Sequence, residues 1–257
     1  MGIIDKKQFT AALDYEMQNL FCHIYDLSER SYNKGIGLYG PFLSENEQAE
    51  LLRRERYLPC GYELFGGFEG AERKMIAFIP EWEEADFPIA AVKLTGRTLS
   101  KLNHRDFLGS IMGLGIKREK CGDIIIGDDV CYAIMERDIA SFSAGSLIKV
   151  GREGVNAELS TLSDISVPER KLKPVTGTVA SLRLDAVLTL MCGSGRSAAA
   201  EIIKSGRVFV NGLSVLKADL HLSDGDVISV RGKGKATLSV GGTSKKDRIF
   251  ITLNKYV

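Results

Sequence analysis

The chain has 257 residues, 44% hydrophobic and 26% charged, with a formal net charge of +1; it is long enough for two or three small domains with real cores, and the net charge alone argues for no polyanionic partner. Its five cysteines (Cys22, Cys60, Cys121, Cys131 and Cys192) are odd in number and lack CxxC spacing, which speaks against a disulfide framework or a zinc site and for reduced thiols. No apolar run approaches the length of a bilayer span and Met1–Lys7 has no signal-peptide core, so a soluble cytoplasmic protein is expected.

Lys6 to Leu27 is predicted as one helix, because Phe9, Leu13, Met17, Leu20, Phe21, Ile24 and Leu27 fall on one apolar stripe. Gly35 to Gly40 fits the spacing GxGxxG. The dinucleotide fingerprint, however, needs a strand before it and a helix opening inside it. Here a helix and the polar run Ser31–Lys34 precede it and Pro41 follows, so a glycine-rich loop between two helices is expected. Ser44 and Glu47 form a capping box for the next helix, predicted to reach about Tyr57 with Leu51, Leu52 and Leu58 inward.

From Gly61 the pattern turns to strands at Tyr62–Phe65, Met75–Ile79 and Phe87–Leu94. Asn103 caps a helix, with Asp106 as the reciprocal acceptor. Phe107, Leu108, Ile111 and Met112 are its apolar positions, and Gly113 and Gly115 end it. A hairpin follows, Asp123–Ile126 and Val130–Met135 about Gly127–Asp129, then a helix over Arg137–Leu147 and a strand from Ile148. This order suggests an α/β sandwich with helices on one face of an antiparallel sheet. His104-Arg105-Asp106 spells the start of a kinase catalytic loop, but the metal-holding Asn that such a loop needs is Ile111 here. Asp164–Val179, with Pro168, Pro174, Gly177 and the charged run Glu169–Lys173, is predicted as a linker. The expected domains are therefore residues 1–60, 61–163 and 181–257, with a linker over 164–180.

The C-terminal stretch reads as helix, loop, helix, hairpin and strand. Leu184, Val187, Leu188 and Met191 share one face of the first helix; Ala198, Ala199, Ile202 and Ile203 share one face of the second. Gly206 suits a left-handed helix end. Asn211-Gly212 is the strongest hairpin signal, with Val215-Leu216 on the return strand and Val227–Val230 as a further strand. Gly232–Gly234 reads as a basic turn, Ala236–Val240 as a strand, Gly241–Asp247 as a basic loop and Arg248–Leu253 as a terminal strand. Residues 181–257 hold 12 Lys/Arg against 6 Asp/Glu, whereas the first 180 hold 22 against 27. A basic C-terminal third on an acidic body is the footprint of a nucleic-acid module.

Arg183-Leu184-Asp185, Arg196-Ser197, Gly206, Val208, Val210-Asn211-Gly212 and Gly225-Asp226 with Ile228 resemble the S-four RNA-binding domain. In that family two helices (the αL motif) and the hairpin turn form one surface for structured RNA. The resemblance therefore implies Arg183, Arg196, Ser197, Lys204, Arg207, Asn211, Gly212 and Lys217 at or near RNA. Independently, free N–H groups at a helix start suit phosphate, and arginine offers it a planar fork.

Gly66–Arg73, His104–Gly109, Gly113–Lys120 and Gly122-Asp123-Ile124 resemble signatures of the bacterial YlmH family. That family implies an α+β fold class: an N-terminal helical segment, an RRM-like α/β sandwich and a small C-terminal S-four domain. The aromatic pair that stacks bases on RRM strands is not evident in Ile124–Ile126 or Cys131–Ile134. His104, Arg105, Lys117 and Arg118 remain as a cationic cluster, a candidate second RNA contact weighed against a solvated helix end.

The resemblance implies a non-enzymatic binder of large-subunit rRNA and tRNA, acting in translation or ribosome-associated quality control, in a family also tied to cell division. No cofactor, metal, membrane or small-molecule substrate is expected. The competing class is an RNA-modifying enzyme of pseudouridine synthase or methyltransferase type, since S-four domains are often appended to such enzymes. No separate catalytic domain follows the S-four stretch, however, and Gly35–Gly40 does not provide a methyltransferase glycine loop. A protein-interaction adaptor is a third class, for which no partner groove is legible.

Overall fold

The N-terminal apolar stripe folds as two helices, α1 (Lys6–Thr10) and α2 (Tyr15–Lys34), rather than one. The computed structural model, which describes residues 6–168, 172–244 and 247–256, puts Ala12 at φ +58 between them. No right-handed helix runs through such a residue. Asp14 then caps α2, accepting the Met17 N–H at 2.9 Å. Phe9, Phe21, Ile24 and Leu27 are buried as the stripe requires.

Gly35, left-handed at φ +62, ends α2. The expected glycine-rich loop is instead largely a strand, β1 (Leu38–Leu43). With β2 (Glu63–Phe65) and β3 (Lys74–Phe78) it makes an antiparallel sheet in the order β1-β3-β2. A Cβ on Gly40 would stand 2.7 Å from the Ile76 side chain, so this glycine serves close packing. Between the strands, α3 (Glu45–Arg54) continues as a 3-10 turn over Glu55–Tyr57. Leu51 and Leu58 are buried, but Leu52, expected inward, is 60% exposed. The boundary expected at residue 60 thus falls inside one sheet.

The RRM-like part starts later than expected, at β4 (Ile89–Thr95). It continues with α4 (His104–Gly113), β5 (Cys121–Ile126), β6 (Val130–Glu136), α5 (Arg137–Ser146), a small hairpin of β7 (Lys149–Val150) and β8 (Glu153–Gly154), and β9 (Asn156–Ser160). Its four-stranded antiparallel sheet has the order β5-β6-β4-β9. Asn103 and Asp106 form the expected capping box of α4. Val92, Leu94, Cys131, Ala133 and Met135 pack with Phe107, Ile111 and Ala140 of the helices. The alternate residues Ile89, Ala91, Tyr132 and Ile134 pack with Phe42 and Met75 of the first sheet. Both faces of this sheet are therefore covered, which is why its central strands read as continuous apolar runs. Burial pushes the Cys131 thiol up to about 12, as suits an inert core cysteine.

The segment Gly66–Arg73 joins the two sheets. A Cβ on Gly66 would lie 2.3 Å from the Ala71 Cβ. The Glu72 and Arg73 N–H groups donate to the Asp123 carboxylate at 2.6 and 3.1 Å. The Arg73 guanidinium donates to the carbonyls of Cys121 at 3.0 Å and Phe42 at 2.8 Å. Burial pushes the Asp123 carboxyl up, and the two N–H donors pull against it.

The chain divides into two units, Met1–Ser44 with Leu51–Pro168, and Glu45–Glu50 with Glu169–Val257. The second unit opens on β10 (Leu172–Val179), where a linker is expected; its eight residues pair with Ile249–Tyr256. The charged residues Glu169, Arg170 and Lys171 lie outside the described residues. Helices α6 (Leu184–Cys192) and α7 (Arg196–Lys204) follow, then β11 (Val208–Val210), β12 (Leu213–Ser214), β13 (Val227–Val230), β14 (Gly234–Thr243) and β15 (Ile249–Tyr256). The sheet order is β10-β15-β14-β13-β11-β12. Leu184, Val187, Leu188, Met191, Ala199 and Ile203 form the core with Val208, Ile228, Leu238 and Leu253. Ala198, expected on the inner face of α7, is exposed, as is Leu216. The basic loop expected from Gly241 is strand as far as Thr243, while Lys245 and Lys246 lie outside the described residues.

Asn211 and Gly212 turn the β11–β12 hairpin at φ +49 and +80. The Asn211 side chain donates to Asp226 at 2.8 Å and accepts the Val227 N–H at 2.9 Å. Replacing Asn211 with Ala should lose about 1–3 kcal/mol in denaturant unfolding, because it strands the Val227 N–H and strains a left-handed position. Asn211→Gly should recover only the backbone part. Leu51→Ala should cost about 2–5 kcal/mol, whereas Leu52→Ala should stay within about 0.5 kcal/mol; thermal melts of the two variants check this directly.

Candidate nucleic-acid interface

The start of α7 carries the firmest of the expected RNA residues. Gly195 is its N-cap in extended backbone and, lacking a side chain, makes no capping hydrogen bond to the first turn. Its leading N–H groups lack intrahelical partners, as at every helix start. Arg196 and Ser197 occupy the first two helical positions and both are exposed. The loop before it turns through left-handed Gly193 at φ +60, which ends α6.

Arg183 is the N-cap residue of α6. Its Nε and Nη2 grip the Asp185 carboxylate at 3.1 and 2.9 Å, a bidentate fork. That hydrogen bond holds the Asp185 carboxyl below its ordinary value, and Arg196 adds to the effect from nearby. Arg183, Asp185 and Arg196 are thus one cluster, with Arg183 locked in place rather than swinging free. Its backbone is fixed too, by a bridge to His221.

Lys204, Arg207 and Lys217 are exposed. The Arg207 Nε donates to the Ser205 hydroxyl at 2.9 Å. Asn211 spends both ends of its amide on Asp226 and the Val227 N–H, and Gly212 serves the geometry of the turn. Arg231 is absent from the expected residues. Its N–H donates to the Arg207 carbonyl at 2.9 Å, which sets the two arginines opposite each other across β11 and β13. The signal was the alternation of Arg207, Phe209, Ser229 and Arg231 against buried Val208, Val210, Ile228 and Val230. Only the pairing register reveals that they share one face.

The second expected cluster separates into two kinds of residue. Arg118 donates from Nη1 to the Cys121 and Gly122 carbonyls at 2.9 and 3.0 Å and so braces the start of β5. Arg105 and Lys117 are exposed, with Lys117 in a loose 3.9 Å pair with Glu119. His104 keeps exposed surface, yet its imidazole is held below its ordinary value, first by loss of water around the ring and then by the Arg118 charge. The RRM-like sheet adds no base-stacking face, because Tyr132 is buried beneath the first sheet. Among the described residues there is no cluster of His, Cys, Asp or Glu arranged to hold a metal ion. No helix among them is long and apolar enough to cross a membrane.

Comparison with known proteins agrees with this division. Residues 82–164 match the putative RNA-binding domain in YlmH, and residues 182–228 match the S4 domain. The first match begins seven residues before β4, where the structure also starts the RRM-like part. Ribosome-associated protein quality control protein P2 of Bacillus subtilis is 34% identical over 220 residues, 83% of this chain and 85% of that protein. The structure of cell division protein ylmH from Streptococcus pneumoniae superposes with a TM-score of 0.52 at 15% identity, over 61% of this chain and 97% of that one, a likeness of fold. With matches to two RNA-binding domain models and a relative this similar over most of both lengths, the chain belongs to the YlmH family and has an RNA-binding role.

Proposed function

We propose that the protein is a non-enzymatic factor that binds rRNA of the large ribosomal subunit together with tRNA, in ribosome-associated quality control. The observation that carries this reading is the start of α7. Exposed Arg196 and Ser197 stand where unpaired helix N–H groups converge, and Arg183 is held beside them by Asp185. Backbone donors, the positive end of a helix and planar guanidinium groups together suit a phosphate backbone. The Bacillus subtilis relative is a quality-control protein of the ribosome by its name, which supports the ribosome as the setting. Such a surface would hold an rRNA helix and a tRNA backbone in register without making or breaking a bond.

Arg105 and Lys117, exposed near the start of α4, are proposed as a second and weaker contact. His104 stands with them, and Arg118 contributes by bracing β5.

Replacing both Arg183 and Arg196 with Ala should abolish co-sedimentation with large subunits at physiological salt while the protein stays folded. For every phosphate that is no longer held, the salt dependence of binding should also flatten by about one unit of slope. Unchanged association of the folded double variant would sink the assignment, and turnover of nucleoside modification on rRNA by purified protein would favour the enzyme class instead. Arg105→Ala with Lys117→Ala should weaken binding several-fold; intact affinity would return that cluster to solvent.

Asp185 supplies a pH test. Its folded carboxyl lies below the unfolded value of about 3.9, so its stabilising effect is present above that pH and is lost as pH falls through the folded value. Thermal melts across about pH 6 to 3 should show a shallower acid decline for Asp185→Asn than for the parent.

A further inference from the structure

We propose that Arg207, Arg231 and Lys233, with the Phe209 ring beneath Arg231, form an additional RNA contact on the outer face of the C-terminal sheet. Arg231 and Lys233 lie beyond residue 228, where the S4 match ends. The proposal rests on the reading that this unit binds RNA, and it extends the contact onto strands outside that module.

The pairing register generates the site. Val208 faces Val230 and Phe209 faces Ser229 across β11 and β13. One step further, the Arg231 N–H reaches the Arg207 carbonyl, so two arginines stand directly opposite on the solvent face. Like charges in that position repel. Neither side chain is in an ion pair among the described residues. Residues 228–246 hold five Lys/Arg and no Asp/Glu, so the adjoining strand supplies no compensating carboxylate of its own.

Each guanidinium is nevertheless held. Arg207 is tied to the Ser205 hydroxyl at 2.9 Å. Arg231 stacks with its Cζ 5.0 Å from the Phe209 ring centre, a cation–π contact that fixes the plane of the group. Lys233 follows in the turn, and both Lys233 and Arg207 lie close enough to Cys192 to act on its thiol. Three cations, two of them preorganised and none neutralised, make a receptor for closely spaced negative charge. The phenyl-backed arginine adds a flat surface on which a base can stack. An RNA backbone supplies both features at once. It is also the ligand proposed for the α7 surface of the same unit.

The test uses the full chain and deproteinised large-subunit rRNA, with affinity measured across about 50–200 mM salt. Arg231→Ala with Lys233→Ala should weaken binding about tenfold and lower the salt slope by about two units. Arg231→Lys with Lys233→Arg keeps both charges and should keep the slope; loss of slope there too would mean the double Ala variant acts through damaged structure, and would overturn the proposal. Ultraviolet crosslinking should attach nucleotides to the peptide that contains Phe209. If the Ala pair binds like the parent while Arg196→Ala weakens binding, the patch is merely solvated and the α7 reading stands. If neither change matters, the RNA reading of the whole unit fails. Crosslinks from Phe209 to a ribosomal protein rather than to nucleotide would assign the patch to a protein partner and reject the proposal.

Discussion

A half-buried carboxylate ties together distant segments of the first unit. Asp123 is desolvated enough to raise its pKa, and it is offset by the N–H groups of Glu72 and Arg73. Removing it would leave two donors without their acceptor in a half-buried turn, a loss well beyond that of an ordinary surface hydrogen bond. The Arg73 side chain extends the same junction to Phe42 and Cys121. Three chain segments distant in sequence are thereby fixed to one point. Gly122 lets them approach, since a Cβ there would meet the Phe42 ring at 2.8 Å. The signature Gly66–Arg73 and Gly122-Asp123 is thus explained by packing and backbone satisfaction rather than by contact with a ligand.

That junction has a functional consequence. By seating Phe42 and Met75 against β4 and β6, it covers the sheet face on which an RRM fold stacks bases. An RNA-binding role for this part must therefore use its helix ends and loops, where Arg105 and Lys117 are exposed. The second unit is built in the opposite sense. Its sheet buries one face on α6 and α7 and leaves Phe209, Ser229 and Arg231 on the other.

Local chemistry made much of this legible. The Asn103/Asp106 capping box, the Asn211-Gly212 turn and the apolar face of α6 each lie within a few residues of sequence, and each has one good structural solution. Long-range pairing was not legible. Leu172–Val179 holds a proline and a glycine and reads as a linker, yet it is an edge strand, where proline is tolerated; its partner residues, Ile249–Tyr256, lie far along the chain. Gly35–Gly40, between a polar run and Pro41, reads as a loop, whereas Gly40 is small so that β3 can approach. Ala12 itself gives no sign of the break, since alanine favours the helix it interrupts; the one local marker is the capping residue Asp14 two positions on. In the candidate site, what holds each side chain was hidden from the sequence. Arg118 and Asn211 are bound to their own backbone surroundings, and Arg231 emerges only when β11 and β13 are in register.

The charge balance gives these placements their meaning. A chain of net charge +1 gains little from long-range attraction to RNA, because the acidic first 180 residues nearly cancel the basic remainder, and what field survives is screened within about 8 Å at physiological salt. Affinity must then come from cations that are individually positioned. The structure positions them in different ways: Arg183 by a carboxylate, Arg196 by a helix start, Arg207 by a hydroxyl and Arg231 by an aromatic ring. Only the first is paired with a carboxylate, which fixes its plane, while the other three are held by groups without charge. A uniformly basic surface would bind any polyanion. Under the proposed reading, arginines fixed at separate points of one core would discriminate by the spacing and shape of the phosphates presented to them.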